Sequence, residues 1–124
     1  MRKGTYAIYK GIEYEAGSKD SNSVSLLSYN KDDVAKGFSL YKGVVYVKRV
    51  QRSELDEVYI IHPFAIYQGY RFGVEREEGD KMLLFTSDFS VYQKLKLTMI
   101  DRGIYEIWVN KSDITSYYEE KNHL

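Results

Sequence analysis

Two histidines, three adjacent pairs of carboxylates and one tryptophan are the residues from which chemistry would have to be built. His62 stands beside the single proline, Pro63, and His123 is the penultimate residue. Neither has a sequence neighbour that would orient it, so His62 reads as a joint residue and His123 as part of a terminal tail. The pairs Asp32-Asp33, Glu77-Glu78 and Glu119-Glu120 lie in polar stretches. Acid/base catalysis asks for carboxylates in contrasting environments within a cleft, and adjacent solvated carboxylates do not supply that. Neither a phosphate-cradling glycine loop nor a nucleophile elbow occurs. There is no cysteine, which excludes disulfides and thiolate metal sites. The expectation is a protein that binds rather than catalyses, with no metal and no cofactor.

The binding candidates gather in the second half. Glu75, Glu77, Glu78 and Asp80, with one Arg76 among them, form the densest acidic stretch. Read as a hairpin loop, Glu75–Asp80 is either a solvated tip or a site that meets a basic partner and steers its approach. In Ile104–Asn110, Tyr105, Ile107 and Val109 alternate to one face, leaving Glu106 and Trp108 on the other. Trp108 then either packs between the two halves or anchors a partner, since tryptophan is over-represented at interface hot spots. Tyr9 and Tyr67 read as rings covering the ends of a barrel, with an aromatic cage for a cation as the sharper alternative. The basic run Lys48-Arg49-Val50-Gln51-Arg52 splits its charges between two strand faces, as a solvated edge does. Eighteen basic residues balance 18 acidic ones, whereas nucleic-acid binders usually carry a positive surplus. Direct nucleic-acid binding is therefore disfavoured.

The elements that must hold these residues read as strands. The chain has 124 residues, 44% hydrophobic and 29% charged, and tyrosine is the outlier with 13 copies. Aromatic and β-branched residues favour strands. The sequence also repeats. Ala7-Ile8-Tyr9-Lys10-Gly11 matches Ala65-Ile66-Tyr67-Gln68-Gly69, and Val24–Ser28 matches Met82–Thr86, both 58 residues apart. One residue is then gained. Val45-Tyr46 matches Ile104-Tyr105, Val50 matches Val109 and Arg52–Leu55 matches Lys111–Ile114, now 59 apart. Order kept through separate segments marks an internal duplication. Two β domains are expected, 1–61 and 62–124, with Pro63 at a tight joint between them. Each would run as a hairpin about Gly11 or Gly69, a polar loop (17–22 or 75–80), a strand, a second hairpin, a serine-capped turn at Ser53 or Ser112, and a last strand. Short helices are expected near Asp32–Lys36 and Ser90–Leu95.

This order resembles the SH3-like barrels of Tudor and KOW modules, most closely at Tyr46–Leu55, which is similar to their last hairpin strand and 3₁₀ turn. The resemblance implies an all-β protein of two tandem five-stranded SH3-like barrels; one continuous sandwich is the other arrangement compatible with the pattern. The opening Lys3-Gly4-Thr5-Tyr6-Ala7-Ile8-Tyr9, continuing through Gly11 and Glu13-Tyr14-Glu15, resembles small immunity proteins of Gram-positive polymorphic toxin systems. That implies a protein partner, a toxin domain such as a nuclease, which the chain binds and neutralises. The alternative is a Tudor- or KOW-like module that binds nucleic acid or a nucleic-acid-processing protein. No run approaches the roughly 18 apolar residues of a membrane span and no signal-peptide core is present, so no membrane partner and a cytoplasmic location are expected.

Overall fold

The structure, a computed structural model, describes the backbone of residues 1–124 and every side chain except that of Ser18. It is all-β with one short α-helix. The chain divides into two compact units. The N-terminal unit is Gly4–Ile61 with Lys121–Leu124, and the C-terminal unit is His62–Glu120 with Met1–Lys3. The terminal segments are thus exchanged relative to a simple cut at residue 61. Specific contacts tie each down. Arg2 Nη2 donates to Glu119 at 3.1 Å and Lys3 Nζ to Glu75 at 3.2 Å. At the other end, His123 Nε2 meets Glu57 at 3.0 Å and the Leu124 amide donates to the Val58 carbonyl at 2.9 Å.

In the N-terminal unit, strands β1 (Gly4–Tyr9), β2 (Ile12–Lys19) and β3 (Ser23–Ser28) form an antiparallel meander. A 3₁₀ turn at Lys31–Lys36 leads to β4 (Ser39–Tyr41) and β5 (Val45–Gln51), and β5 returns to pair with β3. A second 3₁₀ turn at Arg52–Glu54 precedes β6 (Glu57–Tyr67), whose residues 57–61 pair with β1. The C-terminal unit repeats the scheme: the rest of β6, then β7 (Tyr70–Glu78), β8 (Lys81–Thr86), α1 (Phe89–Leu95), β9 (Thr98–Asp101), β10 (Ile104–Asn110) and, as far as Glu120, β11 (Ser116–His123), which pairs with β6. In neither unit does a pairing among the described residues join the outermost strands, so the sheet is not closed.

Local chemistry explains the hairpins. Lys10-Gly11 (φ 51° and 79°) and Gln68-Gly69 (φ 53° and 79°) both place two residues in the left-handed region. That is the type I′ geometry whose twist matches the flanking strands, and glycine takes its second position without a Cβ clash.

The two cores coincide under the repeat. Ala7, Tyr14, Val24, Leu26, Phe38 and Val50 are buried in the first. Ala65, Phe72, Met82, Leu84, Leu97 and Val109 are buried in the second. Tyr9 is itself a core residue and Tyr67 packs against the other core.

The residue gained between the repeats lies in the helix. In the first unit, N-cap Asn30 and left-handed C-cap Gly37 bracket a 3₁₀ turn. In the second, N-cap Asp88 and left-handed C-cap Lys96 bracket α1, one residue longer. An α-turn needs 3.6 residues where a 3₁₀ turn needs 3.0. The insertion is absorbed as a change of helix type, and Phe38 and Leu97 both still reach their cores.

Several expectations are corrected. The acidic stretch is not a loop: β7 continues to Glu78 and only Gly79-Asp80 turns. The first polar loop is likewise shorter, because β2 reaches Lys19. The short turns are not capped by serine. They begin at Arg52 and Lys111, and Glu54 reaches back to the Gln51 amide in a capping box. Pro63 lies next to the boundary between the units, at Ile61/His62, but makes no turn there, since it sits within the unbroken β6. Pairing with β1 ends at Ile61 and pairing with β7 begins at Phe64. The missing proline N–H falls where the strand changes partner, so neither of those ladders loses a bond.

Candidate functional site

The outward face of the C-terminal unit is built from two cross-strand rows. Gly73, Phe85 and Glu106 stand opposite one another on β7, β8 and β10. Arg76, Leu83 and Trp108 form the next row. Directly opposed residues of antiparallel strands share a face, and the alternate residues Val74, Met82, Leu84, Tyr105 and Val109 fill the core.

A register shift between Val74 and Arg76 decides what this face carries. Strict alternation from Val74 would send Arg76 inward. The extra residue, Glu75, resets the phase and turns Arg76 outward, as bulges commonly do beside functional surfaces. The Arg76 guanidinium then lies 5.3 Å from the Trp108 ring centroid, and its Nε donates to Glu78 at 3.1 Å. Gly73 serves the neighbouring row. A Cβ there would come within 2.2 Å of the Phe85 ring, so only glycine lets the ring lie against the strand. Lys3 Nζ stands 6.0 Å from the same ring. Leu83 is buried, whereas Phe85 and Trp108 remain 36% and 41% exposed.

The same rows in the N-terminal unit carry different chemistry. Glu15, Leu27 and Val47 stand opposite one another, as do Ser25 and Arg49. Arg49, at the place of Trp108, donates to Ser25 Oγ at 2.7 Å and to Asp20 at 2.9 Å. The Asp20 carboxyl accepts hydrogen bonds from the amides of Asn22 and Ser23 and from the Ser23 hydroxyl, which hold it below its ordinary value, with the Arg49 charge adding to the effect. A polar network occupies the position where the second unit presents an aromatic ring.

The acidic residues are distributed along strand β7 and its turn, and three have a cation at hand. Glu75 pairs with Lys3 at 3.2 Å, Glu78 with Arg76 at 3.1 Å and Glu77 with Lys111 at 3.6 Å. Asp80 is exposed at the turn, and its carbonyl accepts from the Lys111 amide at 2.8 Å. Glu106 is half-buried opposite Phe85. Nearby, burial pushes the Tyr117 phenol up, and the charges of Glu119 and Glu77 push it the same way. His62 is exposed, and His123 meets Glu57 and packs 5.7 Å from the Tyr59 ring. Phe85, Arg76 and Lys3 belong to this face although sequence reasoning did not single them out. Alternation from core residue Leu84 would have pointed Phe85 outward; nothing local announces the bulge that delivers Arg76.

The family described as "Uncharacterised conserved protein UCP033725" matches residues 1–124. The chain belongs to this family. No curated relative and no solved structure matches it. No helix among the described residues is long and apolar enough to cross a membrane.

Proposed function

We propose that this is a non-catalytic protein-binding protein that meets its partner through the outward face of the C-terminal unit. The observation that carries the reading is the exposed pair Phe85 and Trp108, set on a three-stranded platform where the N-terminal unit has the Arg49–Ser25–Asp20 network. Exposed aromatic rings beside an arginine are the residue types that dominate interface hot spots. Glu78, Glu106 and Asp80 around them favour a partner with basic groups at its rim, where charge complementarity speeds encounter.

The partner we infer is a toxin domain, a nuclease being the natural kind, with the chain acting as its cytoplasmic immunity protein. A basic nuclease cleft suits an aromatic patch edged by carboxylates. The frame we infer for each unit is SH3-like. Its support is the order β5-β3-β2-β1-β6 in the first unit and β10-β8-β7-β6-β11 in the second, with a 3₁₀ turn before the last strand each time. The three-residue β4 and the short β9 are additions at the edge.

The test is rescue. The chain is expressed in cells together with the toxic domain encoded beside its gene. Restored growth with the natural chain, lost with Trp108→Ala, is the expected result. Growth arrest despite the natural chain overturns the immunity reading, and full rescue by both Trp108→Ala and Phe85→Ala overturns the choice of face.

A further inference from the structure

The N-terminal unit contains a cavity of about 260 Å³ lined by Tyr9, Lys10, Ile12, Tyr14, Lys36 and Lys48. Its floor is apolar, with Tyr9 and Tyr14 both buried and Ile12 half-exposed at the side. Its rim is cationic. Lys10 Nζ and Lys48 Nζ stand 5.3 Å and 5.1 Å from the Tyr9 ring centroid. Lys48 Nζ is held there by the Lys36 carbonyl at 2.8 Å. Gly37 leaves room for it, since a Cβ at that position would lie 3.2 Å from the ammonium nitrogen. Lys36 itself reaches Asp33 at 3.5 Å. Among the described residues, neither Lys10 nor Lys48 meets a carboxylate.

The repeat shows that the fold requires none of this. At the matching places of the C-terminal unit stand Gln68 for Lys10, Tyr70 for Ile12 and Ile107 for Lys48, while Leu95 ends α1 where Lys36 ends the 3₁₀ turn. Tyr70, Leu95 and Ile107 pack onto the core there. One frame thus carries two ammonium groups over an aromatic floor in one copy and an apolar plug in the other. Like charges drawn together repel, and cation–π contacts at exposed sites offset that only weakly. An anion between them would relieve that repulsion.

We propose that this cavity binds a small anion that carries an aromatic ring, the ring against Tyr9 and Tyr14 and the anionic group between Lys10 and Lys48. The volume suits a single ring with its charged group; it is below the roughly 300–1,000 Å³ of sites for drug-sized ligands. This site is separate in the chain from the partner-binding face and does not depend on it.

The test uses phenyl phosphate as probe, titrated into the full chain while backbone amide resonances are followed by NMR. Saturable shifts at residues 9–14, 36 and 48, with Kd on the order of 1 mM or tighter, are expected. Inorganic phosphate should bind at least about tenfold more weakly for want of ring burial, and benzylammonium should not bind. Lys10→Gln copies the residue that the second unit tolerates at the same φ, so it should fold. Lys10→Gln and Lys48→Gln should each weaken phenyl phosphate about threefold, the scale of one exposed ion pair. Unchanged spectra, shifts centred elsewhere, equal binding of inorganic phosphate, or indifference to both substitutions in variants with native spectra would overturn the proposal.

Discussion

The Arg76 guanidinium faces the Trp108 ring at 5.3 Å while its Nε binds Glu78 at 3.1 Å. Arginine is thus shared between a carboxylate and an aromatic face, a combination its planar delocalised head suits and a lysine ammonium does not. The bulge at Glu75 brings the two residues to one face, and their juxtaposition sets apart the surface we assign to the partner.

Trp108→Ala should separate binding from stability. The ring is 41% exposed, and its cation–π contact contributes about 0.5–1 kcal/mol at an exposed site. Urea denaturation should show a loss of about 1 kcal/mol. Partner affinity should fall by about 2 kcal/mol or more, the hot-spot scale, measured by calorimetry against the cognate domain. A stability loss several times larger would assign the ring to folding.

Gly73 and Phe85 should be coupled. Gly73→Ala puts a methyl group into the ring, and overpacking of this kind costs about 1–3 kcal/mol. In a Phe85→Ala background the same change should cost little, because the strand prefers alanine to glycine once the ring is gone. Urea midpoints of the four proteins in a double-mutant cycle report the coupling; strict additivity would mean that the ring does not lie on the glycine.

Asp20 should contribute on the alkaline side of its titration only. Hydrogen bonds from Asn22 and Ser23 hold its folded-state carboxyl below the ordinary 3.8. A depressed carboxyl stabilises the fold above its unfolded value, and that stabilisation is lost as pH falls through the folded value. The stability difference between the natural chain and Asp20→Asn should therefore be present near about pH 7 and shrink as pH falls below the ordinary 3.8 and through the carboxyl's folded value. Denaturant midpoints at the two ends of that range check it, and a difference that grew on acidification would contradict the assignment.

Asp88 should set the start of α1. Its Oδ1 accepts from the amides of Ser90 at 2.9 Å and Val91 at 3.2 Å. Asp88→Ala should cost about 1 kcal/mol, with hydrogen exchange accelerating first at the amides of Ser90 and Val91. Exchange unaltered there would show that the cap is not needed.

Much of the frame was legible because its signals are local. Two left-handed φ values at Lys10-Gly11 and Gln68-Gly69 follow from a glycine between strands, and the core alternation of Tyr105, Ile107 and Val109 follows from the two-residue strand period. The same alternation placed Trp108 and Glu106 outward together. The acidic residues of β7 misled, since a polar run resembles a loop until its ladder to β8 is known, and their partners Lys3 and Lys111 are remote in sequence.

By itself, then, the sequence determined an all-β chain built twice on one pattern, because turn chemistry, strand period and core volume act over a few residues. Tertiary structure alone decided which remote side chains meet. It set the phase of β7 at the bulge, carried Pro63 through β6, exchanged the terminal segments between the units, and gathered Lys10 and Lys48 over Tyr9. Those outcomes depend on pairing and register between distant segments, which no local preference encodes.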